Sequence, residues 1–383
     1  MLKILSRKLM QFSIFASMLV LNWLMVIDEK AIVFFSQGGK TYSCNPIAIS
    51  ENLHNSYPEY KIIWLFLDVS RPEGTLPKYI IPVRIRSFKA LKVLATAKFW
   101  LTNHNIPHYF YKGKSQIYIQ TWHGDRGFKR IFADNIHFKG PMPIEQKVCD
   151  LFVVGSYFAE KKIKTAFDYN GKFLKFGCPR NDILLDATKE KIITIKKTHN
   201  IDEDSMVLLY APTFRDKLRE KNSKQTIYNL NLTKIVQTLE IKHRAKWVCF
   251  IRSHQFSDGI IVPELPGDVF LNGNQFEDMN DLLLISDMLI SDYSSSAGDF
   301  VLMNKAVLLY QPDQNLYNYE RGLYFNPDES PFLIAKNNKD LLNIIENLEQ
   351  KTILDNCRKV LAFYGAYESG KASKEVVDYI TNH

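Results

Sequence analysis

The first half of the chain alternates short apolar runs, rich in β-branched and aromatic residues, with segments of helical length. Four apolar runs predict buried strands, at 31–36, 61–67, 116–122 and 151–156. Three intervening segments predict helices, at about 46–55, 87–97 and 156–168. Strands that alternate with helices in this way are typical of an α/β fold built on a parallel sheet.

The same alternation starts again after a charged segment of low apolar content, 186–205, which is predicted to be a linker. Further strands are predicted at 206–213, 246–253, 287–294 and 306–310, with helices near 229–243, 295–304 and 338–349. A chain of 383 residues also exceeds the size at which one core usually stops growing. We therefore predict an apolar membrane-associating segment, 1–28, followed by two α/β domains, 29–187 and 188–383. The last helix could return to the first domain.

The N-terminal segment has the composition of a membrane-associating helix. After Lys3, Arg7 and Lys8, the range Leu9–Ile27 contains 19 residues without a charge. Such a helix is about 28 Å long, close to the roughly 30 Å of bilayer hydrocarbon. No small-residue cleavage motif follows it, which argues against a cleaved signal peptide. A spanning helix, a helix in the membrane interface and a buried globular helix all remain open.

The positive charge is concentrated in the first half of the chain. Residues 1–185 carry 26 Lys and Arg against 13 Asp and Glu, whereas the remainder carries 23 against 28. This asymmetry predicts an anionic partner, and the absence of a basic-aromatic module favours the cytoplasmic membrane leaflet over nucleic acid. The basic stretch Lys78–Lys98 is predicted as a helix that touches lipid headgroups, or equally as an ordinary surface helix. Five cysteines without a C-x-x-C pair indicate reduced thiols in the cytosol.

Polar residues are concentrated where the predicted strands end. In open α/β sheets, ligands bind at the carboxyl ends of the strands. The residues at these positions are His123, Thr213, Arg252, Ser253, His254, Ser294 and Ser295. The pattern predicts a ligand-binding cleft, and Arg252 and His254, two residues apart in an extended segment, can face the same anion.

Two segments invite a phosphate-binding interpretation. Phe34–Thr41 has Phe where a Walker A loop requires Gly, so its glycines are predicted to let a turn approach a ligand or a neighbouring loop. Asp292–Phe300 places serines before a helical run, which predicts a diphosphate site at a helix N-terminus, with simple N-capping as the alternative.

His123 follows a predicted strand and has no metal-ligating partner at a suitable spacing. An imidazole at a cleft can take a proton from an attacking hydroxyl group. Arg126, Lys129 and Arg130 follow it closely and could hold an acceptor phosphate. We therefore interpret His123 as a candidate general base.

Together these segments resemble the CDP-glycerol glycerophosphotransferase family, the enzymes of wall teichoic acid assembly. The matching segments occur in order at 33–46, 121–124, 177–182, 210–216, 252–254, 284–300 and 370–373. The resemblance implies a GT-B-like arrangement, in which two Rossmann-like domains face a central cleft, at the cytoplasmic face of the membrane. It implies neither a cofactor nor a metal.

The resemblance also implies roles for individual residues. His123 corresponds to the general base, and His254 to the group that stabilises the leaving CMP or the transferring phosphoryl group. The predicted substrate-binding residues are Gly124, Arg126, Lys129, Arg180, Pro212, Thr213, Arg252, Ser253, Ser294, Ser295 and Asp299. Many relatives have a Thr-Pro-Leu-Lys-like sequence after the Trp-His-Gly motif, whereas this chain has the sequence of residues 125–129, so the choice of acceptor is open.

The predicted reaction transfers glycerol phosphate from CDP-glycerol to a hydroxyl group of a membrane acceptor linked to undecaprenyl diphosphate, and releases CMP. The product would be a teichoic acid or a related surface polymer. A CDP-ribitol donor and a GT-B glycosyltransferase that uses a nucleotide sugar are the enzymatic alternatives. A non-enzymatic scaffold that binds anionic lipid is the alternative from another class.

Overall fold

The computed structural model describes residues 2–70, 75–213, 230–252 and 269–383. They form two compact units. The first unit contains Met1–Asp125, Lys139–Asp182 and Tyr367–His383, and the second contains Arg126–Phe138 and Ile183–Ala366. Each unit is built on its own parallel sheet, which confirms the predicted pair of parallel-sheet α/β domains. The arrangement of the two domains about a cleft stays a prediction.

The first unit contains a sheet of seven parallel strands in the order β3-β2-β1-β4-β5-β6-β7. The strands are β1 Asp28–Phe35, β2 Lys61–Phe66, β3 Ile81–Arg84, β4 Ala97–Thr102, β5 Ile117–Gln120, β6 Leu151–Val153 and β7 Lys172–Leu174. The strand order reverses between β1 and β4, which is the position where open α/β sheets usually bind a ligand. Both strands are rich in buried apolar residues, as expected for a sheet covered on both faces.

Helices flank this sheet. They are α1 Leu2–Leu24, α2 Cys44–Ser56, α3 Phe88–Thr96, α4 Glu145–Val148, α5 Tyr157–Ala166 and α14 Ala372–Thr381. The C-terminal helix α14 packs on α2. Its first turn is capped by the Asp182 carboxylate, which accepts hydrogen bonds from the backbone N–H groups of Ala372 and Ser373 at 2.9 and 2.7 Å. The last residues of the chain therefore belong to the first unit.

The basic stretch Lys78–Lys98 is not a single helix. It begins with β3, continues through α3 and ends in β4, which pairs with β1 near the middle of the sheet. The helix starts only at Phe88, because the Ser87 side chain caps it by accepting from Ala90 N at 3.1 Å. The sequence pattern missed β4 because Lys98 extends the basic periodicity of the helix into the strand.

Helix α1 is part of the first unit and not a separate segment. It packs on α3, with Met18 fully buried, and Asn22 Nδ2 donates to Ala95 O at 2.9 Å. Across the described ranges, the helices fall short of the combined length and apolar character that a membrane crossing requires.

The second unit contains six parallel strands in the order β10-β9-β8-β11-β12-β13. The strands are β8 Met206–Tyr210, β9 Trp247–Ile251, β10 Phe270–Asn272, β11 Met288–Ser291, β12 Ala306–Tyr310 and β13 Leu333–Ala335. The helices are α6 Asp182–Asp186, which starts at the boundary, α7 Lys189–Thr198, α8 Leu232–His243, α9 Met279–Ile285, α10 Ser296–Phe300, α11 Gln314–Arg321, α12 Asn338–Asn347 and α13 Gln350–Tyr364.

Half of the segment predicted as a linker, 186–205, is the helix α7. Thr188 caps it by accepting from Lys191 N at 3.3 Å, and Ile195 is buried. Lys196 is also buried and donates from Nζ to the backbone oxygens of Glu203 and Ser205 at 2.9 and 2.8 Å. Its high charge misled the prediction, because a lysine that bonds backbone carbonyls can pack inward.

A second correction concerns residues 126–138, which were predicted within the first domain and belong to the second unit. Phe128 is fully buried there. The backbone pairs with residues 322–324: Arg130 N donates to Gly322 O at 3.0 Å, and Tyr324 N donates to Phe128 O at 2.9 Å. These long-range backbone bonds leave no signal in local hydrophobic periodicity.

Candidate active site

The candidate general base follows β5 directly. His123 is half-buried, and its Nδ1 lies 2.7 Å from the carbonyl oxygen of Asn103, the residue after β4. A carbonyl oxygen can only accept, so Nδ1 is the donor. In the neutral ring the other nitrogen, Nε2, therefore carries the lone pair. This is the protonation form that a general base requires.

Two aromatic rings lie beside the imidazole of His123. The Trp122 ring is 4.4 Å away, centroid to centroid, with an interplanar angle of 36°. The His104 ring is nearly parallel to it at 5.9 Å. Together with the bond to Asn103 O, these neighbours restrict the orientation of the ring.

Three buried amide side chains, which the sequence analysis missed as site residues, hold the backbone around His123. Asn45, Asn103 and Gln120 are each 0% exposed. Gln120 Oε1 accepts from Trp122 N at 2.9 Å, and Asn45 Nδ2 donates to Trp122 O at 2.9 Å. Asn103 and Gln120 lie at strand ends, so the strand-end rule would have found Asn103 had β4 been predicted.

The glycine-containing turn after β1 also contacts Asn103. The Asn103 side chain accepts from Gln37 N at 2.8 Å and donates to Ser36 Oγ at 3.0 Å. Gly39 has a φ of +87°, and a Cβ atom there would lie 2.2 Å from Ile85 Cδ1. This glycine lets the turn approach a neighbouring loop closely, as the sequence predicted.

Residues just beyond His123 are fixed by α5 and the turn before it. Lys162 Nζ donates to the carbonyl oxygens of Gly124 and Asp125. The Asp125 carboxylate accepts from Gly155 N and Ser156 Oγ, each at 2.7 Å. The unusual Asp125 therefore has a structural function within the first unit, and the substrate-binding role of Gly124 stays a prediction.

Arg180, predicted to contact the donor, lies in the turn before α6. Its side chain is buried, and its backbone N–H donates to Asn45 Oδ1 at 3.0 Å. The amide of Asn45 therefore contacts two segments that carry predicted site residues, the His123 loop and the Arg180 turn.

Arg126 occupies a different environment from the one its predicted contact with an acceptor phosphate would require. Its side chain is fully buried, and Nη1 lies 2.8 Å from Asp299 Oδ1 within the second unit. Gly298 makes room for it, because a Cβ atom there would lie 2.7 Å from Arg126 Cβ. The structure thus pairs two predicted substrate ligands, Arg126 and Asp299, with each other. By contrast, Lys129 is exposed and forms an isolated antiparallel bridge with Leu323.

The ends of β8 and β11 are joined by Asp292, another residue that the sequence analysis did not assign to the site. Its carboxylate accepts from Thr213 N at 2.9 and 3.0 Å and from Thr213 Oγ1 at 2.8 Å. Pro212 and Thr213 are therefore held next to the turn that carries Ser294 and Ser295. The strand-end rule brings these predicted residues together as expected.

The serine turn before α10 is bonded to itself. Ser294 Oγ accepts from Ser296 N at 3.3 Å and from Ser296 Oγ at 2.9 Å, and Gly298 N donates to Ser295 O at 3.0 Å. The helix that follows has only five residues. Ser294 and Ser295 remain half-exposed, and their predicted contact with a diphosphate stays a prediction.

Arg252 follows β9 and donates from Nη1 to the carbonyl oxygens of Gly273 and Phe276 at 3.0 and 2.8 Å. Burial lowers the pKa of its guanidinium group from the ordinary value. Ser253 and His254 lie outside the described residues.

Within the four described ranges, no group of three or more His, Cys, Asp or Glu is arranged to hold a metal ion, and the five cysteines are free thiols.

The comparison with protein families identifies the enzyme family of this chain. Residues 17–382 match the model of the CDP-glycerol:poly(glycerophosphate) glycerophosphotransferase family. The chain belongs to this family. The expected enzyme class, a glycerophosphotransferase, is thereby confirmed.

Individual relatives are similar along most of the chain. A teichoic acid poly(glycerol phosphate) polymerase of Bacillus spizizenii is 29% identical, with 92% of each chain covered. A teichoic acid glycerol-phosphate transferase of Staphylococcus aureus is 28% identical, over 99% of this chain and 100% of that protein. The chain spans about half the length of the polymerases of Bacillus subtilis and Staphylococcus epidermidis, at 49% and 51%. A structure of the wall teichoic acid polymerase TagF superposes with a TM-score of 0.84 at 25% identity, over 100% of this chain and 98% of that one.

Proposed function

We propose that this enzyme transfers glycerol phosphate from CDP-glycerol to a hydroxyl group of a lipid-linked acceptor in teichoic acid synthesis. The names of the Bacillus and Staphylococcus relatives support the pathway, and TagF variant crystals soaked with CDPG support the donor. The observation that carries the mechanism is the bond from His123 Nδ1 to Asn103 O, which places the lone pair of the neutral ring on Nε2, the nitrogen that would accept the proton.

In the proposed reaction, the acceptor oxygen attacks the β-phosphorus of CDP-glycerol. A new phosphorus–oxygen bond forms while the bond from the β-phosphorus to the bridging oxygen breaks, and CMP leaves with the electron pair of that bond. The proton of the acceptor hydroxyl passes to His123 Nε2. General base catalysis of this kind contributes roughly 10²–10⁴-fold in rate.

The donor-binding part of the proposal rests on the second unit. Phosphoryl transfer depends mainly on positioning and on stabilising charge. Thr213, Ser294 and Ser295 offer half-exposed hydroxyl-bearing side chains at neighbouring strand ends, and Arg252 keeps its positive charge, since arginine stays protonated in proteins. We propose that these residues bind the diphosphate of the donor.

The lipid-linked acceptor requires contact with a membrane, and α1 supports this part of the proposal. The residues Leu5, Leu9, Phe12, Leu19 and Trp23 follow one face of the helix and are between 41% and 82% exposed. The opposite face packs on α3, where Arg84, Arg86, Lys89 and Lys92 in and around that helix are exposed. An apolar helix face next to basic residues is typical of a helix that lies in the interface of an anionic membrane.

An activity assay with purified protein tests the reaction. The protein is incubated with CDP-glycerol, CDP-ribitol or a UDP-sugar and with a synthetic undecaprenyl-diphosphate-linked acceptor. The molecular masses of the products are then measured. We expect turnover with CDP-glycerol, and a fall in kcat of about 10²–10⁴-fold in His123→Ala. His108→Ala, an exposed histidine of the same unit, should keep full activity. Turnover with UDP-sugars alone, or an active His123→Ala, would contradict the proposal.

Sedimentation with vesicles of anionic phospholipid tests the membrane contact. The double variant Leu9→Glu/Phe12→Glu should lose binding, because two exposed apolar side chains become acidic. Ile241→Glu is the matched control, since Ile241 is 80% exposed on α8. Equal sedimentation of both variants would contradict a role for α1.

A further inference from the structure

The loop that carries His123 has an unusual backbone conformation. Trp122 has a φ of +50°, in the left-handed region that bulky residues rarely adopt. Such a conformation is unfavourable and persists only where the surroundings fix it. The groups that bond this peptide therefore determine where His123 lies.

Asn45 contributes two hydrogen bonds to this loop from one side chain. It lies in the first turn of α2 and is 0% exposed. Its Nδ2 donates to Trp122 O at 2.9 Å and to Thr121 O at 3.2 Å. Its Oδ1 accepts from Arg180 N at 3.0 Å. Both the nitrogen and the oxygen of this amide therefore form hydrogen bonds with backbone atoms, and these atoms belong to two separate loops.

One bond of Asn45 holds the carbonyl oxygen of Trp122, the residue directly before His123. The Trp122 carbonyl belongs to the same peptide plane as the His123 nitrogen, so a bond to Trp122 O fixes the orientation of that plane. Gln120 fixes the preceding peptide through Trp122 N at 2.9 Å. With both peptides fixed, the imidazole reaches Asn103 O at 2.7 Å through Nδ1.

We propose that Asn45 is a positioning residue for His123: by holding the Trp122 carbonyl, it keeps the Nδ1 nitrogen of the imidazole bonded to Asn103 O, so that the lone pair of the neutral ring lies on Nε2. The same amide ties the Arg180 turn to this loop, so the base and a predicted donor ligand share one support. The catalytic consequence rests on the proposed function, in which His123 is the general base.

Two substitutions separate the two contacts of Asn45. Asn45→Asp keeps an oxygen that can accept from Arg180 N but replaces the donor to Thr121 O and Trp122 O. Asn45→Ala removes both contacts. Asn52→Ala, which removes an amide two turns further along the same helix, is the matched control.

The first readout is steady-state kinetics with CDP-glycerol. Since a displacement of about 1 Å can cost on the order of 10²-fold in rate, we expect both Asn45 variants to lose about 10²-fold in kcat. In Asn45→Asp the KM for CDP-glycerol should stay within about threefold, because the Arg180 contact is kept. Asn52→Ala should match the wild type. A kcat within about threefold of wild type in both folded Asn45 variants would overturn the proposal.

The second readout is the tautomer of His123 in the free enzyme, measured by nitrogen NMR on histidine-labelled protein and assigned with His123→Ala. We expect the Nδ1–H form in the wild type and in Asn52→Ala, and a mixture with the Nε2–H form in both Asn45 variants. An unchanged tautomer in the folded variants would overturn the proposal.

The NMR measurement does not depend on turnover, so it tests the positioning role even if another residue proves to be the base. An active His123→Ala would defeat the proposed function alone. Should Asn45→Ala fail to fold, Asn45→Ser, which keeps one short donor, is judged by the same two readouts.

Discussion

The two units hold their predicted site residues with different kinds of side chain. Around His123, the first unit uses neutral amides and backbone carbonyls, from Asn45, Asn103 and Gln120. In the second unit, the predicted donor ligands are held by charged groups, as in the bonds of Asp292 to Thr213 and the ion pair of Arg126 with Asp299. When one partner is removed, a buried amide loses only neutral hydrogen bonds, whereas a buried carboxylate is left as an uncompensated charge.

Two buried carboxyl groups show the same difference. Glu145 in the first unit is 0% exposed, and its Oε1 accepts from Ile106 N at 2.8 Å and Tyr118 Oη at 3.1 Å, both neutral donors. Burial raises the pKa of Glu145 above its ordinary value. Asp299 in the second unit is also buried, but it has the guanidinium of Arg126 at 2.8 Å. Removing one partner should therefore affect the second unit more strongly.

The largest effect is expected from Arg126→Ala, which leaves the Asp299 carboxylate buried without its cation. Breaking a buried pair in this way costs about 3–5 kcal/mol of unfolding free energy. Urea denaturation followed by circular dichroism measures it. The double variant Arg126→Met/Asp299→Leu should recover most of the loss, because apolar residues can replace a buried pair at little cost. A loss under about 1 kcal/mol in Arg126→Ala would contradict the assigned pair.

The next effect is expected from Gly298→Ala. The added methyl group would lie 2.7 Å from Arg126 Cβ and 2.8 Å from Arg126 Cδ. Overpacking of this kind costs about 1–3 kcal/mol. Gly124→Ala in the first unit is the control, since its Cβ atom would have its nearest neighbour, Trp122 Nε1, at 3.4 Å. The melting temperatures of the two variants test this difference. An equal shift in both would show that Arg126 does not limit the space beside residue 298.

A smaller effect is expected from Asn103→Ala. The substitution removes the bonds to Ser36 Oγ and Gln37 N but keeps the backbone carbonyl that accepts from His123 Nδ1. We expect a loss of about 1–2 kcal/mol in stability, with kcat lowered less than in Asn45→Ala. A larger loss of kcat than in Asn45→Ala would show that the turn after β1 contributes more to the site than the Trp122 peptide.

The smallest effect is expected in the pH dependence of stability. Since the pKa of Glu145 is raised in the folded state, folding favours its protonated form, and this contribution to stability is lost as the pH rises above the ordinary value of 4.5. Relative to Glu145→Gln, the wild type should therefore become less stable as the pH increases. Melting temperatures of both proteins between pH 4.5 and 8 test this, and a difference that is constant with pH would contradict it.

The alternation of apolar runs predicted most of the fold, because strands buried on both faces must be continuously apolar. β1, β2 and β8 lie where the pattern placed them. β4 was missed because the basic helix before it runs into Lys98. Short edge strands such as β7 were missed because three residues carry too little pattern to separate them from loops.

The candidate site was predicted only in part. The strand-end rule selected His123, Thr213 and the serines as candidates, since the carboxyl ends of parallel strands meet at one edge of a sheet. It did not find Asn45, which lies in the first turn of a helix and acts through bonds to distant backbone atoms. Nor could it predict that Arg126 faces Asp299, which is 173 positions away in the chain.

The sequence by itself determined the two α/β units and the family, because both depend on the order of residue types along the chain. Only the tertiary structure decided which nitrogen of His123 carries the lone pair, where residues 126–138 pack and which polar side chains are already bonded. These properties depend on contacts between residues far apart in sequence, whose free energy is set by distance and burial and leaves no periodic pattern in the chain.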